Sequence, residues 1–202
     1  MTSDFRLLTF DSQLPTLPFT RYPLLFSRMA VAPNSAIRVI GIDPGLNITG
    51  YGIVVCCPED VKLLEAGVIR MPRNEGGNLP ERLESLFVEL RRVIEEFGPQ
   101  TMCLEEVYSH ASYPRTAILM GHARGVICLA ARLAAIPVLS FSAKRVKQSV
   151  TGNGNASKIQ VQRAVQNYFS LHRVPYPPDV ADALAVALCY VNLQVRKMAL
   201  AL

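Results

Sequence analysis

The sequence predicts a mixed α/β fold, a five-stranded sheet flanked by helices. Three observations carry that expectation. Ile37 to Ile42 is a short run rich in β-branched residues that stops at Asp43-Pro44-Gly45, as a strand buried on both faces would. Two more such runs follow at hairpin spacing. Beyond them, helical periodicity alternates with short apolar runs, the pattern of a sheet covered by helices.

The elements follow in chain order. Residues 1–36 hold four prolines and scattered Leu and Phe with no sustained period, and no signal-peptide core. They are expected to be a disordered extension or a misassigned start, with Met29 as the alternative start. The domain proper is expected over 37–197, with a tail at 198–202. In the first strand Pro44 ends the run and Gly45 permits a tight turn. Asn47 to Val55 and Val61 to Ile69 complete an antiparallel meander.

Pro80 opens a helix at its favoured first position, apolar residues from Leu83 to Phe97 keep helical spacing, and Gly98-Pro99 stops it. Thr101 to Tyr108 is the fourth strand. Pro114 to Ala135 is a long helix, apolar nearly all round, so both its sides are expected to be buried. Gly121 and Gly125 within it would let another backbone approach, either the sheet or a second subunit. Ile136 to Ser140 is the fifth strand. Helices at Ala143 to Thr151 and Ala156 to Phe169 flank a Gly152-Asn-Gly-Asn155 turn, with Asn155 or Ser157 as cap. A proline-rich loop, Pro175 to Pro178, leads to a last helix from Asp179.

The composition narrows the function classes. The 202 residues suit one domain with a substantial core, half of it hydrophobic. A net charge of +5 favours an acidic partner. The five cysteines lack C-x-x-C spacing, which suits reduced thiols in a cytoplasmic protein. Three scattered histidines make no zinc pattern. No uninterrupted apolar run reaches the roughly 18 residues of a membrane span.

The chemistry lies in carboxylates. Asp43 ends a buried strand, where a lone charge is costly without a partner. Glu105 and Glu106 are neighbours on a strand, so one of them can face a site and the other point away. Asp179 and Asp182 are three apart on a helix and share a face, although helix capping would explain them too. Carboxylates without a thiol or histidine cluster suit a hard cation such as Mg²⁺. Two such ions activate a water and stabilise the leaving oxygen in phosphodiester cleavage. From Val107 to Pro178 there is no Asp or Glu in 72 residues, but nine cations: Arg115, Arg124, Arg132, Lys144, Arg145, Lys147, Lys158, Arg163 and Arg173. An acid-free basic stretch bracketed by acidic motifs is what a phosphate-tracking surface beside a metal site requires.

Ile40-Gly-Ile-Asp-Pro-Gly45, Leu104-Glu-Glu-Val-Tyr108, Gly121-His-Ala-Arg-Gly125, Arg145-Val-Lys-Gln148 and Asp179-Val-Ala-Asp-Ala-Leu-Ala185 together resemble, in this order, the RuvC family of Holliday junction resolvases. The resemblance implies a ribonuclease-H-like fold and a Mg²⁺-dependent homodimer, with two ions per subunit. Such a dimer nicks two like-polarity strands of a four-way DNA junction in recombination and repair. It implies Asp43, Glu105, Asp179 and Asp182 as metal-holding catalytic residues, with Glu105 chosen over Glu106. It sets Tyr108 near the junction, where it would stack on an unpaired base, and Lys147 and Lys158 near the scissile phosphate. Arg115 joins them as a DNA-binding residue. A branch-migration motor is the implied partner. His122 departs from the glutamine usual in its motif. An RNA-cutting ribonuclease-H-like nuclease, an actin-like ATPase and a non-catalytic junction-binding protein stay open as alternatives.

Overall fold

In the computed structural model, residues 36–45, 47–57, 60–71, 78–106 and 114–199 are described, the side chains of 114–115 and 194–199 excepted. The expected extension, Tyr108 and the end of the tail lie outside the described residues, as does the side chain of Arg115.

The chain runs β1 (Ile37–Asp43), β2 (Ile48–Cys56), β3 (Val61–Arg70), α1 (Leu79–Phe97), β4 (Thr101–Glu105), α2 (Pro114–Leu133), β5 (Val138–Phe141), α3 (Ala143–Thr151), α4 (Lys158–Tyr168) and α5 (Pro178–Ala199). The sheet order is β3-β2-β1-β4-β5. The first three strands are the expected antiparallel meander. β4 and β5 run parallel to β1, each after a crossover helix. The described residues fall within one compact unit, 33–202.

Strand alternation divides the core into two layers. Ile40, Ile42, Ile53, Met102 and Leu104 face α1 and α2 and pack with Leu86, Leu90 and Ile127. Val39, Val54 and Cys103 face the other way and pack with Leu184 and Leu188 of α5, Val146 of α3 and Val161 of α4. The same parity turns Gly41 and Asp43 of β1, Gly50 and Gly52 of β2, and Glu105 of β4 toward α5.

Most element ends agree with the sequence reading, and the differences have local causes. α1 begins one residue early, because Asn78 caps it by accepting from the Glu81 N–H, and Pro80 sits just inside. Gly98 ends it in the left-handed region, φ 54°. α4 begins at Lys158, and Ser157 is its cap, in a reciprocal capping box with Gln160. β4 stops at Glu105, short of Tyr108. β5 starts at Val138, because the Ile136 N–H is already bonded to Ala131 O at the end of α2. α5 starts at Pro178, so Asp179 lies inside its first turn and is not the cap. The helix also runs to Ala199, past the expected boundary at 197.

The expectation that α2 is buried on both sides is wrong within the chain. Ala123, Ile127, Ala130 and Ala131 are buried, but Ile118, Leu129 and Leu133 are 62%, 53% and 66% exposed. A Cβ built on Gly121 or Gly125 would meet nothing within 4 Å, so neither glycine serves packing on the sheet. The apolar residues exceed what α1 and the sheet can cover, because a helix offers one stripe to its own core. The window Thr116–Leu133 is long and apolar enough to cross a membrane, a test that core helices also pass. Arg124 in that window is bonded to the ends of the sheet instead.

Candidate nuclease site

The site forms at the carboxyl ends of β1 and β4, the usual place for a ligand on an open α/β sheet. Asp43 is the last residue of β1 and pairs with Gly50 of β2. Ile42 is paired with Leu104, so Asp43 and Glu105 are the next residues along neighbouring parallel strands. Both turn toward α5, and the parity of β4 sends Glu106 the other way. The turn after Asp43 is closed by Thr49, whose hydroxyl donates to Gly45 O at 2.7 Å and accepts from Gly45 N at 3.3 Å. Thr49 is fully buried, so the bonded hydroxyl costs little there.

Glycines bring α5 onto this end. A Cβ on Gly41 would stand 2.2 Å from Ala183 O, one on Gly50 2.1 Å from Asp179 O, and one on Gly52 2.5 Å from a Leu184 methyl. Three side-chain-free positions on two adjacent strands therefore let the helix lie almost backbone to backbone on the sheet. Its first two turns carry Asp179 and Asp182 over the end where Asp43 stands.

The electrostatics follow from that convergence. Burial pushes the Asp43 carboxyl up to about 8, and the charges of Asp182, Glu105 and Asp179 push in the same direction against a smaller opposing pull from Lys158. Glu105 is raised by burial and by Asp182, and drawn back by Lys147 and Lys158. Lys158 Nζ stands 2.8 Å from Asp182 Oδ2. Burial lowers the Lys158 ammonium, but its bond to Asp182 and the charges of Asp182, Asp43 and Asp179 outweigh that and raise it. Lys158 is the first residue of α4, where the helix dipole disfavours a cation by about 0.3–1 kcal/mol. Its position is explained by the carboxylates, not by the helix. Lys147 of α3 and Lys158 line a cleft of about 220 Å³ with Glu105 and Asp182.

Four carboxylates with no histidine or thiol among them form an oxygen donor set that suits a hard divalent cation. Among the described residues no three His, Cys, Asp or Glu side chains already enclose a point at ligand distance. The Lys158 ammonium lies among the carboxylates as a partial counter-charge. The chemistry of the donors fits such a metal.

Asp43, Glu105, Asp179, Asp182, Lys147 and Lys158 are thus brought to one end of the sheet. Arg115 and Tyr108 belong to the segment whose side chains lie outside the described residues. His122 is exposed on α2. Sequence reasoning missed the seating role of Gly41, Gly50 and Gly52, although a glycine inside a strand is itself a signal of close backbone approach. It also passed over Thr49 and Arg124.

The fold and the acidic end of its sheet define the class, a nuclease of the ribonuclease-H-like fold. Comparison with known proteins narrows it further. The family model described as crossover junction endodeoxyribonuclease RuvC matches residues 39–190. RuvC of Rhodopirellula baltica is 50% identical over 157 residues, 78% of this chain and 87% of that one. RuvC of Alkaliphilus oremlandii is 42% identical, over 76% of this chain and 92% of that one. The structure of Thermus thermophilus RuvC in complex with Holliday junction substrate matches with a TM-score of 0.73 at 30% identity, over 80% of this chain and 96% of that one. The chain belongs to the RuvC family.

Proposed function

We propose that this protein cuts four-way DNA junctions by metal-dependent phosphodiester hydrolysis, as a homodimer that places one nick in each of two symmetry-related strands. The observation that carries this reading is the coupling of Asp43 to Asp182, Glu105 and Asp179 at one sheet end, with Lys147 and Lys158 at its rim. Family membership gives the substrate class, since a relative of this fold carries Holliday junction substrate.

Asp43, Glu105, Asp179 and Asp182 would hold the metal, for which we propose Mg²⁺, two ions per subunit. Bound there, it would ease the deprotonation of the attacking water and would supply positive charge for the leaving oxygen. The chain's own residues do the rest. β1, β4 and α5 bring the four carboxylates to one end of the sheet, where they would hold the metal together. Lys147 and Lys158 neutralise the non-bridging oxygens of the scissile phosphate. In the net reaction a water oxygen bonds to phosphorus, one phosphorus–oxygen ester bond breaks, and the proton that the water gives up balances the one taken up by the departing sugar oxygen.

Tyr108 and Arg115 are proposed as further DNA contacts. Residues 37–197 are proposed as the nuclease domain, 1–36 as an extension outside it and 198–202 as a tail. A branch-migration motor is proposed as partner and the cytoplasm as location.

The test is a cleavage assay with the full chain, a labelled four-way junction, a duplex of equal length and single-stranded RNA, in Mg²⁺ and in chelator. Paired nicks at symmetric positions in the junction, lost in chelator, are expected. Preferential cutting of RNA would move the activity to an RNA nuclease, and junction binding without cutting in Mg²⁺ would leave a binding protein only.

A further inference from the structure

The motif Gly121 to Gly125 is the one sequence signature with no part among the carboxylates and lysines of the site. Its glycines face open space within the chain. Its arginine does not. Arg124 Nη1 donates to the main-chain oxygen of Glu105 at 2.7 Å, and its Nη2 donates to Ser140 Oγ at 2.6 Å. One planar guanidinium thus joins three elements: α2, the last residue of β4, and β5 one residue before its end.

The neighbouring bonds make the effect local. Glu105 is paired with Phe141 across β4 and β5, and the Glu106 N–H donates to Phe141 O at 2.9 Å. Glu105 is the last residue of β4. The Arg124 bond to the Glu105 carbonyl therefore ties α2 to the terminal residue of the strand. One arm of the rigid guanidinium holds the Glu105 carbonyl while the other is anchored on Ser140 of β5, so the carbonyl is tied to the neighbouring strand through a planar group, which a lysine with a single point charge does not reproduce.

We infer that Arg124 is a positioning residue for the Glu105 carboxylate, acting through the main chain and not by touching substrate or metal. This rests on the reading that Glu105 holds metal. Residues that orient a metal ligand typically account for about 10–100-fold in metal affinity. The motif's arginine then has a task distinct from that of Lys147 and Lys158, which act on the carboxyl group itself.

The experiment uses the full-length protein and its Arg124→Ala, Arg124→Lys, Ser140→Ala and Glu105→Gln variants. The first readout needs no cleavage: the Mn²⁺ or Mg²⁺ concentration that gives half the metal-induced rise in melting temperature. Junction affinity in chelator and single-turnover cutting are measured alongside. Arg124→Ala is expected to need about tenfold more metal or beyond, with junction affinity changed by less than about threefold. Arg124→Lys and Ser140→Ala should fall between it and the unmodified protein. Added methylguanidinium should move the Arg124→Ala midpoint back. Glu105→Gln should lose most of the metal response. If Arg124→Ala only melts lower and keeps the normal metal midpoint, Arg124 is a structural tie and the inference is overturned. If Arg124→Ala does not fold, Arg124→Lys and Ser140→Ala decide the matter, and unchanged midpoints in both overturn the inference. A Glu105→Gln protein with normal metal response and cutting instead removes the metal role of Glu105.

Discussion

Gly50 lies beneath Asp179: a Cβ at Gly50 would stand 2.1 Å from the Asp179 main-chain oxygen. Gly50 is also the register partner of Asp43. One missing side chain thus brings a helix-borne carboxylate over a strand-borne one. Since the obstacle would be backbone, relief requires the whole first turn of α5 to move. Gly50→Ala is expected to cost about 1–3 kcal/mol of stability and to reduce cutting by more than that loss explains, because the helix would lift where its carboxylates sit. Melting temperature, and cutting rate measured well below it, check this. A destabilised protein that cuts at the normal rate would separate the glycine from the site.

Asp43 gives a pH dependence of definite sign. Its carboxyl is raised from 3.8 to about 8 in the fold, so the folded state holds the proton more tightly than the unfolded chain. The stability this contributes is fully present below about pH 4 and is lost as pH rises through about 8. Without metal, the melting temperature should therefore fall across that window. Asp43→Asn should flatten the fall and make the metal-free protein the more stable of the two at pH 8. The same variant should lose cutting by about a thousandfold or more and keep junction binding. Mg²⁺ affinity of the unmodified protein should rise with pH over the same window, since binding must displace the proton. A metal-free melting curve that does not move between pH 5 and 8 would remove Asp43 from the centre of the cluster.

Lys158 separates two effects that normally move together. Its ammonium pairs with Asp182 where a cation would bind. On the proposed function, removing it would take away a competitor for the carboxylates and a contact for phosphate. Lys158→Ala is expected to bind Mg²⁺ more tightly, to cut on the order of a hundredfold more slowly, and to lower the salt slope of junction binding by about one. Weaker Mg²⁺ binding in this variant would mean that the lysine supports the metal site and does not compete with it.

Asp43, Glu105, Asp179 and Asp182 were legible in the sequence because charge inside an apolar pattern is rare. The meander and crossovers were legible because periodicities of two and 3.6 residues differ. The choice of Glu105 over Glu106 needed the family resemblance; in the fold it follows from parity, since Cys103 packs toward α5 and Glu105 is two residues on. What the sequence did not reveal is long-range. Gly41, Gly50 and Gly52 act through a helix more than 120 residues away in the chain, and Arg124 through a carbonyl 19 residues back. No local pattern encodes such partners. The misreading of α2 has the same origin: an all-round apolar helix does not say which of its faces the chain itself will cover.

That uncovered face leads to the last prediction. Ile118, Leu129 and Leu133, with Gly121 and Gly125 between them, form a stripe that α1 and the sheet leave exposed. Their spacing follows one side of a helix. α2 has 20 residues and so is about 30 Å long, enough for a side-by-side seam with a second copy of itself. Two glycines on the stripe would allow close approach there. A two-fold pair meeting along α2 would present the same patch from both copies and bring two acidic sites to one junction. Leu129→Asp tests this with little risk to the fold, because Leu129 is 53% exposed in the chain and a carboxylate there stays in water. The unmodified protein is expected to scatter as a dimer at micromolar concentration. The variant should scatter as a monomer with nearly the same melting temperature as the unmodified subunit extrapolated to low concentration. It should still show the metal-induced rise in melting temperature, and it should nick single strands without pairing the cuts. An unmodified protein that is monomeric both free and on a junction would leave the stripe without a partner copy and end the dimer reading. A Leu129→Asp protein that stays dimeric would move the seam off α2.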